Sequence, residues 1–238
     1  MNLAIAGYGR MGHEIEAMAI ERGHSISAIV DADSIGTVDW KAISGLDAVI
    51  EFTVPAAAPA VIASLLRAGI PVVSGTTGWL SRYEEMSSLA RECNTAFIHA
   101  SNYSPGVFIL SRLNLVLAGW MKKIGGYRAA IEEIHHTAKL DAPSGTAIML
   151  AEQIIGAGCG YSGWLRGGSA DPVEIPVNSV REGSVPGTHH IRWTSGMDAV
   201  TISHEAFGRK GFALGAVMAA EFIAGRKGVF TLVDVFGF

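Results

Sequence analysis

The feature that most restricts what this chain can become is a hexapeptide, Gly7-Tyr8-Gly9-Arg10-Met11-Gly12, set between a strand and a helix. Residues 2–6 form a short apolar run, and Met11, Ile15, Met18 and Ala19 then recur at helical spacing until Gly23. In that context G-x-G-x-x-G is a dinucleotide-binding turn. Gly7 makes the tight turn, Gly9 lets backbone approach a pyrophosphate, Gly12 lets helix and strand pack closely, and the phosphates meet the positive end of the helix. Asp31 ends the next strand, 19 residues beyond Gly12, where a carboxylate accepts hydrogen bonds from both adenosine ribose hydroxyls and repels a 2′-phosphate. Neither Ala32 nor Asp33 compensates that charge, so the expected cofactor is NADH in preference to NADPH.

The same alternation continues: strand Ser25–Val30, strand Ala48–Phe52, helix 57–68 stopped by Gly69, strand Pro71–Val73, a helix opened by a capping box at Ser81-Arg82-Tyr83-Glu84, and strand Thr95–Ala100. Short strands alternating with helices imply parallel βαβ units with right-handed crossovers. Two further loops at strand C-termini are expected over the cofactor, Gly75-Thr76-Thr77-Gly78 and Ser101-Asn102-Tyr103-Ser104. After residue 127 the texture changes, with strands at 128–135, 178–182, 188–193 and 199–204 and one helix at 145–155. The stretch Gly156–Gly168 holds six glycines in 13 residues and is expected to be a mobile loop, and Phe212–Ala224 is helical again. The expected fold is α/β: a Rossmann-type doubly wound parallel sheet over 1–106, completed by 207–238, and a second, α+β domain over 107–206.

Composition closes off other classes. A net charge of −4 with 18 basic and 22 acidic residues argues against nucleic acid as partner. Apolar stretches are broken by Glu51, Pro55, Pro59 and Glu221 before reaching membrane length. Two distant cysteines, Cys93 and Cys159, and a start lacking a basic signal-peptide region favour a reducing, cytoplasmic setting.

The chemistry concentrates in Glu133-Ile134-His135-His136-Thr137-Ala138-Lys139-Leu140-Asp141-Ala142-Pro143-Ser144-Gly145-Thr146-Ala147. A strand delivers two histidines, a lysine follows, and a helix starts at once. Asp141 or Ser144 is placed to cap that helix, with Pro143 in its first turn. The amides near Ser144, Gly145 and Thr146 suit an anion such as a carboxylate, Lys139 adds positive charge, and imidazoles exchange protons near neutral pH. Adjacent strand histidines point to opposite faces and no Cys, Asp or Glu offers an obvious third ligand, so no metal site is expected. His189, His190 and His204 are expected to be structural, and Arg181 and Arg209 to be exposed charges, with a hinge as the alternative role for Arg209 just before the returning helix.

The His-His-x-x-Lys-x-Asp-Ala-Pro-Ser-Gly-Thr string resembles the substrate motif of the 4-hydroxy-tetrahydrodipicolinate (dihydrodipicolinate) reductase family. The likeness extends to residues 7–12, Glu51-Phe52-Thr53, 75–78, 101–107, Arg181-Glu182-Gly183 with Gly187 and His189, and Arg209 with Phe212-Ala213 and Gly215-Ala216. Departures stand at Glu51, Ser101, Tyr103, Ile134 and Gly208, and the chain is trimmed around 32–46 and 156–180. The resemblance implies His135 as acid/base residue, Lys139 as proton donor, and His136, Gly145 and Thr146 as contacts of a substrate carboxylate. It implies a cyclic hydroxy-imine dicarboxylate as substrate, loss of water, hydride transfer from NAD(P)H in lysine and diaminopimelate biosynthesis, and a homotetramer formed through the second domain. It also implies that the imidazole and ammonium converge on the reduced pyridine ring. The alternatives from the residues alone are a related dehydrogenase of another small amino or imino acid, and a non-catalytic NADH sensor, which leaves Lys139 and the paired histidines without a purpose.

Overall fold

The computed structural model describes residues 1–31, 34, 37–43, 45–168 and 171–237. Ala32 and Asp33, invoked above for cofactor choice, lie outside the described residues. In chain order the elements are β1 (Asn2–Ala6), α1 (Arg10–Glu21), β2 (Ser25–Val30), β3 (Ala48–Glu51), α2 (Ala58–Arg67), β4 (Val72–Ser74), α3 (Tyr83–Glu92) and β5 (Ala96–His99). Then come α4 (Pro105–Ile124), β6 (Arg128–His135), α5 (Gly145–Gly156), β7 (Gly163–Arg166), β8 (Glu174–Arg181), β9 (Gly187–Thr194) and β10 (Ala199–Ala206). The chain finishes with α6 (Lys210–Ile223), β11 (Gly228–Phe230) and α7 (Leu232–Phe236). They separate into two compact units, Met1–Pro105 with Arg209–Phe238, and Gly106–Gly208. No helix among the described residues is long and apolar enough to cross a membrane.

In the first unit six parallel strands lie in the order β11-β5-β4-β3-β1-β2. Both faces of the inner strands β1, β3, β4 and β5 are covered, so these are buried on both sides, whereas the edge strand β2 alternates exposed and half-buried residues. Ala4, Val49, Val72 and Phe97 pack with α2 residues Leu65 and Leu66 and with Met86, while Leu3, Ile5, Ile50, Val73 and Ile98 pack with Ile15 of α1 and Ala216 and Val217 of α6. Helix α6 thus returns to this unit, and Glu221 fastens it by accepting from Arg22 and pairing with His24, each at 2.7 Å. The strand order reverses between β1 and β3, the crevice where open parallel sheets bind ligands.

The second unit is a mixed sheet, β10-β9-β6-β8-β7, with β6, β8 and β7 parallel and β9 and β10 antiparallel. Its core joins Leu110, Ala118 and Met121 of α4, Leu150, Ala151 and Ile154 of α5, and Ile131, Ile175, Val177, Ile191 and Trp193 of the sheet.

Four sequence expectations need correction. Ser81 caps nothing: Leu80–Arg82 is a 3-10 turn and α3 begins at Tyr83 without a side-chain cap. The glycine-rich stretch is not all loop, because Gly163–Arg166 finds a parallel partner in β8. The strand expected at 178–182 starts at Glu174. The sequence reading also passed over α4, whose 20 residues expose Ile109, Leu113, Val116 and Trp120 as well as burying Leu110 and Ala118, which blurs the two-sided pattern.

Candidate active site

In the first unit the Gly7 turn occupies the switch point. Gly7 has φ +95°, and a β-carbon there would overlap the Phe52 carbonyl. Gly12 is buried behind the turn, while the space in front of Gly9 is open for at least 4 Å. No side chain caps α1, so its first amides remain available to an anion. Gly7, Tyr8, Gly9 and Asp31 line one cavity of about 230 Å³ with Phe52, Thr53, Val54 and Ala57. The Tyr8 amide donates to Asp31 Oδ1 at 3.4 Å, which ties the carboxylate to the turn. The open cradle and uncapped helix start fit a dinucleotide pyrophosphate.

A neighbouring cavity of about 280 Å³ is lined by Met11, Phe52, Gly75, Ala100, Ser101, Asn102, Tyr103, Arg209 and Phe212. Arg209, expected as an exposed charge or a hinge, is therefore also a wall of this cavity. Arg10 and Thr77 are exposed, and Ser104 is buried with its amide donating to Asn102 Oδ1 at 2.9 Å. Thr76 turns inward, and the Tyr103 hydroxyl donates to the Ser74 carbonyl at 2.9 Å. Sequence reading overlooked the reason for that inward turn. Glu51, fully buried at the end of β3, accepts from the Thr53 amide at 2.8 Å, the Thr53 hydroxyl at 2.5 Å, and the Ser74 and Thr76 hydroxyls at 2.6 Å each. One carboxylate thereby joins the ends of β3 and β4 and the loops that follow them.

In the second unit the inward face of β6 reads Ala129, Ile131, Glu133, His135, so the apolar stripe becomes polar where the strand ends. Glu133 is fully buried. The Ser144 amide donates to both its oxygens at 3.1 Å and Arg181 Nη2 donates to Oε1 at 3.2 Å. Burial alone would raise the Glu133 carboxyl, but hydrogen bonds led by Ser144, with the Arg181 guanidinium, hold it below the usual range. His189, directly opposite Glu133 on β9, joins the cluster: its Nε2 lies 3.9 Å from Oε2, and His135 Nε2 lies 3.6 Å from the same oxygen. Burial lowers the His135 pKa; Glu133 opposes this and Lys139 and Arg181 reinforce it, so the ring is neutral at pH 7. Gly187 makes room for that ring, since a β-carbon there would stand 2.9 Å from His135 Cε1.

Ser144, not Asp141, is the N-cap of α5, accepting from the Ala147 amide at 3.2 Å, and Pro143 lies before the helix rather than in its first turn. Asp141 instead pairs with Lys139 Nζ at 2.8 Å. Gly145 and Thr146 head the helix, Gly145 exposed and Thr146 half-buried. His136, half-buried, follows the last residue of the strand. Arg181 is no free surface charge: it bonds Glu133 and the carbonyls of Val180, Lys139 and Asp141. The expectation that no acid accompanies the histidines also fails, because Glu133, His135 and His189 bring ligand-type atoms within 4.8 Å of one another. Alternation along β6 would have shown Glu133 beside His135, whereas His189 needed the strand register. Arg181 already neutralises that carboxylate and Lys139 adds a second cation nearby, so the cluster reads as an ion-paired proton site rather than a cation centre.

A glycine turn at the switch point of a doubly wound sheet, followed by a unit carrying a histidine–lysine site beside a helix start, defines a class: α/β oxidoreductases that bind a pyridine dinucleotide. The chain matches two family models, "Dihydrodipicolinate reductase, N-terminus" over residues 1–103 and "Dihydrodipicolinate reductase, C-terminus" over 106–236. It is 46% identical over 235 residues to the 4-hydroxy-tetrahydrodipicolinate reductase of Christiangramia forsetii, covering 99% of this chain and 97% of that one. The enzyme of the same name from Natronomonas pharaonis is 35% identical, with 95% and 96% covered. The fold is shared with a dipicolinate-bound dihydrodipicolinate reductase from Paenisporosarcina sp. TG-14, at TM-score 0.77, 21% identity and 98% coverage of both chains. The chain belongs to the dihydrodipicolinate reductase family.

Proposed function

We propose that this chain reduces 4-hydroxy-tetrahydrodipicolinate to tetrahydrodipicolinate with loss of water, in lysine and diaminopimelate biosynthesis, using NADH in preference to NADPH. The observation that carries the reading is the polar end of β6, where His135, Lys139 and the start of α5 occur together within the stretch that matches the family. Gly7, Tyr8, Gly9, Arg10, Met11, Gly12 and Asp31, with the loops at 75–77 and 101–104, hold the dinucleotide. When bound, the reduced nicotinamide supplies a hydride to ring C4 of the substrate. The Gly145 and Thr146 amides, the Ser144 turn and His136 hold a substrate carboxylate. Lys139, paired with Asp141 at 2.8 Å, delivers a proton to the charge that develops on the ring. Neutral His135 accepts and returns protons during loss of water. Asp31 favours an unphosphorylated ribose, which supports NADH.

The first unit serves dinucleotide binding, and the second serves substrate binding and assembly of a cytoplasmic homotetramer. Exposed Ile109, Leu113, Val116, Trp120 and Ile124 on α4 support burial of that unit's surface against other copies. Light scattering is expected to give about four times the 25.0 kDa chain mass; a monomer would remove this part of the reading.

A coupled assay with freshly made substrate tests the rest. Dinucleotide oxidation is expected only when substrate is present, with a higher kcat/KM for NADH. His135→Gln and Lys139→Ala are each expected to lower kcat by about 100-fold or more. Near-parental turnover in both variants would reject the roles given to these side chains.

A further inference from the structure

We propose that Glu133 and Arg181 together are positioning residues, a single buried mount on which the acid/base histidine, the lysine-bearing loop and the anion-binding helix start are all fixed; this rests on the functional reading above. A fully buried carboxylate is costly to desolvate, and a buried ion pair adds little stability over apolar side chains of the same size. What this one holds explains it. Both Glu133 oxygens accept the Ser144 amide at 3.1 Å, which fixes the residue before Gly145. Arg181 carries the contact onward, donating from Nη2 to the Asp141 carbonyl at 2.6 Å and from Nε to the Lys139 carbonyl at 3.4 Å. Its bond to the Val180 carbonyl, at 2.8 Å, engages Nη1 as well, so Arg181 acts as a strut within the unit. Glu133 Oε2 also faces His135 Nε2 at 3.6 Å. Three elements bearing the three reacting groups therefore end on one pair of side chains.

The charged and titratable groups around His135 come from four directions: Glu133 on its own strand, Arg181 on β8, Lys139 in the loop that follows, and His189 on β9, with His204 of β10 behind His189. Removing the Glu133 charge leaves two cations nearest the ring and disfavours imidazolium.

Glu133→Gln keeps the shape and loses the charge, while Arg181→Lys keeps the charge and loses the fork that reaches two carbonyls. In the full chain each is expected to lower kcat by about 10- to 100-fold while the dinucleotide KM stays within about twofold, because misplacement by an ångström is felt in the chemical step. Glu133→Gln is also expected to move the acidic limb of the kcat/KM pH profile to lower pH. The double variant is expected to be no worse than the poorer single, since the two act as one unit. The proposal is overturned if the Glu133→Gln kcat and pH profile superimpose on the parent's with only Tm reduced, or if the losses multiply in the double variant. If Glu133→Gln fails to fold by near-ultraviolet circular dichroism, Glu133→Asp takes its place, and an unchanged kcat there overturns the proposal equally. If the parent chain does not turn over the dicarboxylate, the functional reading falls by itself. Nuclear magnetic resonance titration of His135 in parent and variant then decides the mount, and an unmoved titration overturns it.

Discussion

His189 shows how one buried side chain makes this molecule depend on pH. It is 3% exposed, and burial, reinforced by neighbouring His135, lowers its pKa from 6.5 to about 4. Between those values the unfolded chain binds the proton and the folded one does not, so stability is complete above pH 6.5 and drains away as pH falls towards 4. A shift of that size corresponds to about 3 kcal/mol. The depressed Glu133 carboxyl acts in the same direction, its contribution being lost as acid titrates it. Urea midpoints measured from pH 7.5 to 4 are therefore expected to fall steeply in the parent and less steeply in His189→Gln. At Gly187, where a methyl would stand 2.9 Å from His135 Cε1, Gly187→Ala is expected to displace the ring and reduce kcat by about tenfold with dinucleotide binding unchanged, checked by kinetics and calorimetry. Placements that follow from local spacing, such as Gly7 in the tight turn and a helix starting just after Pro143, were legible from the chain. Glu133 opposite His189 was not, because that adjacency exists only once β6 and β9 are in register.

Among the elements, α5 carries its own test. Ser144 contributes a hydroxyl to the Ala147 amide and, separately, its own amide to Glu133. Ser144→Ala removes that hydroxyl together with its contacts to Glu133 and, at 3.4 Å, to His189 Nε2, so thermal denaturation is expected to show a loss of at least about 1 kcal/mol, the value of an N-cap. The dicarboxylate KM is expected to rise, as steady-state kinetics would show. Strands with two buried faces and helices with one apolar stripe were readable because their periodicity differs. Helix α4 was not, since its outward face is nearly as apolar as its inward one, and β7 was not, since a ladder formed with distant β8 outweighs four residues of weak local preference. The capping box at Ser81 failed because a 3-10 turn took up those residues first.

At the level of the molecule, each unit has its own core, so changes in one are expected to leave the other's ligand affinity intact. Calorimetry on His135→Gln and Lys139→Ala should show NADH binding within about twofold of the parent, and a larger loss would mean that the second unit shapes the first unit's pocket. The parallel sheet of the first unit is built from both ends of the polypeptide: β11 covers the edge of β5, and α6 lies against α1 through Glu221 with Arg22 and His24. During synthesis the middle of the chain therefore leaves the ribosome with every strand of its sheet, while the earliest residues wait for the latest ones. A nascent chain interrupted near residue 208 would carry a finished second unit and an unsealed first one, with the flank of β5 bare for pairing with a stranger.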